Sequence, residues 1–292
     1  MAKARGTSQV NRSGKVGSEV YRQSYAGTIV SQWQAIVKNP RTYAQMVQRA
    51  KIAIVSAAYE AMREICDHSF EGTTYGAQSM NKFKKLNNAL VTKWNNRGNK
   101  AVANNFQVAS GSIAEVPLGT EQAIAQTLSE DTTFAQFRDI LGGGVQPGDQ
   151  ITFMTVVTRN TTTSPNGAGD QPAGPISCYV GRAMIPINIT DETVVGNSTS
   201  LWSTAGIKIY NLDLTNSYPA VKLPAGANAS GNIVMQTIII SRKAGGKWLR
   251  SNAYLKAYGT GIVDNVWTEM AGVSTYDPNS PYYLNESEET NA

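Results

Sequence analysis

The sequence predicts an α+β protein: an N-terminal β-hairpin and two packed helices, then a larger antiparallel β domain, sandwich-like or a curled sheet. Three observations predict it. Apolar residues recur in steps of three and four through 43–65 and again through 80–94, the period of a helix with one buried face. Residues 248–258 alternate in character and follow Lys243-Ala244-Gly245-Gly246-Lys247, the composition of a hairpin loop. Between these regimes, Asn95-Asn96-Arg97-Gly98-Asn99-Lys100 marks a shift from basic and helical to Thr-rich and Gly-punctuated sequence. Four segments are expected: a flexible basic arm (1–14), a hairpin and two-helix region (15–100), a β-rich domain (101–275) and an acidic tail (276–292).

The arm is polar, Gly/Ser-rich and without a core of its own. GKVGSEVYRQ and TIVSQWQAIV then flank Ser24-Tyr25-Ala26-Gly27, a hairpin with Gly27 at its turn and Val16, Val20, Ile29 and Trp33 as apolar positions. Asn39-Pro40 suits an N-cap and first helical position, opening a helix to Cys66. One apolar line runs Tyr43, Met46, Ala50, Ile54, Ala57, Ala61 and Ile65; a second runs Ile52, Val55, Tyr59 and Met62. The middle of this helix should therefore be buried nearly all round. Ser79 is the expected cap of a second helix over 79–96, with Met80, Phe83, Leu86, Leu90 and Trp94 inward and its lysines outward.

In the β-rich region a short helix, Thr132 to Leu141, is expected with Asp131 as cap and Gly142 as stop. Strands are expected at 150–159, 176–189, 206–212, 232–242 and 248–258, with an exposed loop over 161–175 and a closing helix over 262–270.

Charge is distributed unevenly. Residues 1–106 hold 16 Lys/Arg against 5 Asp/Glu, a net +11, and the remainder holds 10 against 16, a net −6. Such polarity suits contact with nucleic acid or basic-to-acidic association of subunits. The two cysteines, Cys66 and Cys178, are far apart without metal-type spacing, so buried, reduced thiols are expected. No apolar run follows the basic N-terminus and no stretch reaches the ~20 apolar residues of a membrane span. The expectation is synthesis in the cytoplasm and no membrane partner.

Little points to a reaction. His68 is the only histidine, and Cys66, Asp67 and Ser69 crowd it too closely in sequence for a triad, whose members converge from separate elements. Gly142-Gly143-Gly144 follows a helix and lacks a Gly-Lys-Ser/Thr, so helix termination explains it better than phosphate binding. Gly148-Asp149 reads as a turn and Asp191-Glu192 as surface loop. No cofactor, metal site or catalytic residue is expected. The binding signal is basic: Lys3, Arg5, Arg12, Lys15 and Arg22 are spaced among Gly, Ser and Gln near Tyr21 and Tyr25, and Lys38, Arg41 and Arg49 cluster at the start of the first long helix. Cations there oppose the helix dipole by a few tenths to ~1 kcal/mol, so either an acidic partner meets them or the end is merely solvated.

Ser13-Gly14-Lys15-Val16-Gly17 and Lys38-Asn39-Pro40-Arg41-Thr42, with Gln45 and Gln48-Arg49, resemble a protein family of gut Bacteroidetes and their phages. The likeness continues through Phe70-Glu71-Gly72, Tyr75-Gly76, Ser79-Met80 and Phe83, with an echo at Ser241-Arg242 and Trp248-Leu249-Arg250-Ser251. The family has no assigned activity, so the resemblance implies only a mobile-element or virion context. Two functional expectations follow: a self-assembling structural protein, such as a phage capsid or tail component, or a nucleic-acid-binding accessory protein acting through the basic arm. A metal-free hydrolase with a dispersed site is a third reading without positive support.

Overall fold

The computed structural model describes residues 2–3, 13–24, 27–34, 42–90, 106–118, 128–159, 177–197, 202, 205–215, 218–225 and 232–258. The architecture is α+β, with helices and several antiparallel sheets. Two compact units emerge, 1–42 and 43–292. The expected boundary at 95–100 lies outside the described residues.

The first unit is a four-stranded antiparallel sheet ordered β1-β4-β3-β2, from Ala2–Lys3 (β1), Gly14–Val16 (β2), Glu19–Ser24 (β3) and Gly27–Gln32 (β4). The β3–β4 hairpin closes with Ser24 opposite Gly27, whose φ of 111° only glycine adopts readily. Two expectations are corrected. GKVGSEVYRQ is not one strand: it folds back at Gly17-Ser18, where Gly17 has φ 61°, so β2 and β3 form a second hairpin. The arm over 1–14 is not wholly free of structure either, since Ala2 and Lys3 pair with Val30 and Ile29. The apolar positions also differ: Tyr21 is buried, while Val16 and Trp33 are 53% and 44% exposed.

In the second unit the first long helix is α1, Tyr43–Ala61; Met62 breaks the spiral (φ −111°, ψ 12°) and α2 follows as Arg63–Cys66. Met46, Ala50, Ile54, Val55, Tyr59 and Met62 are buried as expected, but Ile52 is 50% exposed. Burial is therefore a broad stripe and not the full circumference. The second helix, α3, is Ala77–Asn87, running on into a 3-10 turn at Asn88–Leu90. Gly76, at φ 76°, precedes it, so Ser79 is a first-turn residue and not the cap; its hydroxyl donates to the carbonyls of Asp67 (2.9 Å) and Thr74 (3.1 Å). Phe83 of α3 sits among Tyr59, Phe70 and Phe106, at ring distances of 5.5, 6.4 and 5.9 Å. Each fully buried ring contributes about 1.5–3 kcal/mol. Asn87, fully buried, extends α3 to the strand β5 (Gln107–Ala109): its amide donates to Gln107 O and its Oδ1 accepts from Gln107 N, at 2.9 and 2.7 Å.

The expected short helix is α4, Phe134–Ile140. Thr133, extended at φ −83° and ψ 163°, replaces Asp131 as cap and forms a reciprocal capping box with Gln136. Gly142 and Gly143, at φ 77° and 73°, end the helix and return their N–H groups to Asp139 and Arg138. The main sheet contains β6 (Gln150–Arg159), β7 (Ser177–Met184), β8 (Lys208–Tyr210), β11 (Asn232–Ala244), β12 (Lys247–Arg250) and β14 (Lys256–Tyr258). Its order is β12-β11-β6-β7-β8, with β14 also on β11. A small ribbon, β9 (Leu212–Asp213) with β10 (Ala220–Val221), lies beside it.

The expected strand 248–258 is three strands. β12 pairs with one end of β11, β14 with the other, and β13 (Ala253–Tyr254) leaves the sheet to pair with β5. Ser251 replaces the lost ladder bond by accepting Ile240 N through its hydroxyl at 2.9 Å. One face of the main sheet, with Met154, Val156, Met235 and Ile239, packs on α1 and α3. The other, with Ile151, Phe153, Ile238 and Ile240, packs on Phe134, Phe137 and Trp202. The two helices and the sheet thus share one core. Both cysteines are free thiols, Cys66 buried and Cys178 half-buried. Among the described residues no helix is long and apolar enough to cross a membrane.

Candidate functional site

Of the basic positions, Lys15, Arg22, Arg49 and the backbone of Lys3 fall among the described residues; Arg5, Arg12, Lys38 and Arg41 lie outside them. The N-terminal sheet brings three together. Lys15 pairs with Val20, Arg22 with Ile29, and Lys3 with Ile29 on its far side. Because side chains alternate along a strand, Lys15, Val20, Arg22 and Ile29 share one face. Trp33 joins it, with the Lys15 ammonium 3.2 Å from the Trp33 ring centroid. This face combines exposed cations, an exposed indole and half-buried aliphatic side chains. Arg49 belongs to α1 in the second unit, where its Nη1 lies 3.8 Å from Met46 Sδ.

A second feature was not anticipated as a site. In the second unit the α2–α3 connection and the β11–β12 hairpin enclose a cleft of ≈ 870 Å³, lined among others by Asp67, His68, Glu71, Tyr75, Trp248 and Arg250. Glu71 holds its two sides together. Its Oε2 accepts from Ser112 N and Oγ at 2.8 and 3.0 Å and from Arg250 N at 3.3 Å. Arg250 Nε in turn donates to the His68 carbonyl at 2.9 Å. Gly111 is required here, because a Cβ would meet the Arg250 carbonyl and lie 2.6 Å from Glu71 Oε2. Asp67 anchors the other end, accepting from Tyr59 Oη, from Gly76 N at 3.1 Å and from Arg63 Nε at 3.4 Å.

These bonds set the electrostatics. Partial burial disfavours charge on Glu71, but the donors from Ser112 and Arg250 outweigh it and hold the carboxyl below its usual range. Asp67 is likewise lowered: burial opposes the charge, and Tyr59, Gly76 and Arg63 overcome it. Burial, then the Asp67 carboxylate, pushes the Tyr59 phenol up. Burial lowers the Arg250 guanidinium, and Glu71 partly restores it. Both carboxylates are thus engaged in holding the walls. What the cleft offers outward is aromatic: Tyr75 is 73% exposed and Trp248 is 49% exposed, with the half-buried Arg250 guanidinium 4.8 Å from the Trp248 ring centroid.

His68 sits at the rim, exposed, its ring 6.1 Å from that of Tyr75. Asp191, expected on a surface loop, is exposed and pairs with Arg138 at 2.8 and 3.2 Å. Among the described residues no group of three or more His, Cys, Asp and Glu is placed to hold a metal ion. The cleft escaped the sequence reading because its partners lie 41 and 179 residues apart. One signal was present: the quoted stretches Phe70-Glu71-Gly72 and Trp248-Leu249-Arg250-Ser251 are the two that meet there. No protein-family model, curated protein or solved structure matches the chain.

Proposed function

We propose that the protein is a structural component that assembles with copies of itself through its basic N-terminal sheet, as a capsid or tail protein of a phage particle does. The observation that carries this is the sheet face bearing Lys15, Arg22 and Trp33. Sheets are stable when a face is buried against another layer, and here exposed cations surround an exposed indole and half-buried Val20 and Ile29. The chain itself supplies a complementary partner, since residues 107–292 carry a net −6 against +11 for residues 1–106. Basic-to-acidic docking of one copy on the next is a heterologous contact, which builds rings when the rotation closes and filaments when it does not. The resemblance of the N-terminal third to proteins of gut Bacteroidetes and their phages fits the same reading. Electron microscopy of the purified protein tests it: rings, tubes or regular particles are expected, and scattered small monomers contradict it.

A further inference from the structure

Among the described residues, the helices α1 and α3 cover only part of their face of the main sheet. Register identifies what the bare part carries. Trp248 pairs with Lys243 and Arg250 with Ser241; Ser241 pairs with Gln150, Gln150 with Met184 and Met184 with Lys208; Thr152 pairs with Arg182 and Arg182 with Tyr210. Alternation places all of them on the face that sends Met154 and Ile239 into the helix-covered core. Trp248, Met184 and Tyr210 are 49%, 52% and 68% exposed, and Arg182, Lys208 and Lys243 are exposed as well. None of these strand positions holds a carboxylate; Glu64 on α2 borders the surface. Residues 107–292 carry 10 Lys/Arg against 16 Asp/Glu, so this set of strand positions reverses the local balance.

We propose that this sheet face binds single-stranded nucleic acid, with Trp248 and Tyr210 stacking on bases and Arg182, Lys208 and Lys243 following the phosphates. The two rings stand on opposite edge strands, four strand spacings across and four residues along the sheet, roughly 23 Å apart, with the cations around and between them. Flat aromatic rings among cations are the chemistry of sequence-tolerant single-strand binding. A duplex hides its base faces inside the stack, and an acidic peptide engages the cations but leaves the rings idle. The surface lies wholly in the second unit and does not depend on self-assembly through the first.

The test is fluorescence anisotropy of a labelled oligothymidylate of about 20 nucleotides, longer than a typical single-domain site, with the full chain at low salt. Trp248→Ala and Tyr210→Ala should each weaken binding roughly 5- to 150-fold, and Trp248→Phe, which keeps a ring, should retain most of it. Lys208→Gln with Lys243→Gln should lower the log–log salt slope by about 1.4, at roughly 0.7 per phosphate contact. Lys85→Gln, an exposed lysine of α3 outside this face, should leave affinity unchanged. The proposal is overturned if the wild type fails to bind, or if the variants of this face bind like wild type. It is also overturned if a duplex of equal length, or polyglutamate, binds as tightly as the oligothymidylate and the alanine variants retain that binding.

Discussion

Arg242 reaches from the central strand β11 to Asp149, whose side chain is 1% exposed, and donates to both carboxylate oxygens at 2.8 and 2.6 Å. A third bond, from Arg242 Nη2 to the Gly144 carbonyl at 2.6 Å, ties in the turn after α4, and Asp149 also accepts Gln146 N at 2.8 Å. Breaking a buried pair from one side strands a charge, at a cost of about 3–5 kcal/mol. Asp149→Ala should lower stability by that order in a denaturant titration. A change under 1 kcal/mol would show that the pair is well solvated.

Glu71, Asp67 and Asp213 all have carboxyls held below their usual range; for Asp213 the bonds from Thr215 are the main cause. The folded state therefore binds fewer protons than the unfolded chain in acid. Their contribution is fully present above the ordinary carboxylate values near pH ~4 and is lost as pH falls toward the folded values. Glu71→Gln should flatten this acid limb, read as melting temperature against pH. Parallel limbs for variant and wild type would mean that Glu71 has the same affinity for protons folded and unfolded.

Gly111→Ala tests the cleft wall without touching a charge. The added methyl runs into the Arg250 carbonyl and Glu71 Oε2, so the backbone must move. Overpacking of this kind costs about 1–3 kcal/mol. Stability should fall by that amount, and Trp248 fluorescence should shift as the hairpin is displaced. A neutral substitution would show that the two walls part easily.

Ile54 and Ile52 make a paired test of α1. Ile54 is fully buried and Ile52 is 50% exposed, two residues away on the same helix. Ile54→Asp buries an unpaired charge and should prevent folding, whereas Ile52→Asp should cost at most about 0.5 kcal/mol. Equal effects on soluble yield and melting would mean the helix is rotated from its described orientation.

The contrast at Ile52 shows what local pattern conveys. Apolar spacing located α1 and α3 because those elements answer to one face and one period, and the stop at Gly142 located α4. Spacing over-assigned burial at Ile52 because it says that an apolar residue can be covered and not that a partner is there. Ser79 and Asp131 were chosen as caps on residue type, but the caps fall at Gly76 and Thr133, where backbone dihedrals decide. Residues 248–258 alternate throughout, yet alternation does not say which strand each piece pairs with; Ser251 can replace a backbone partner, which lets the chain leave the sheet and return. Of the basic positions, Lys15 and Arg22 were legible as charge, and their shared face needed the extra fold at Gly17. The Glu71–Ser112–Arg250 junction joins three distant segments through one carboxylate, and no local pattern encodes such a meeting.

The most direct test of self-assembly is the solution mass by light scattering, across protein concentration and ionic strength. A mass well above the 31.4 kDa of one chain is predicted at low salt, falling as salt screens the basic-to-acidic contact. Trp33→Ser with Arg22→Gln should lower it at constant salt, because both belong to the docking face while lying outside the core of the second unit. A mass of 31.4 kDa at every concentration and salt would contradict the account.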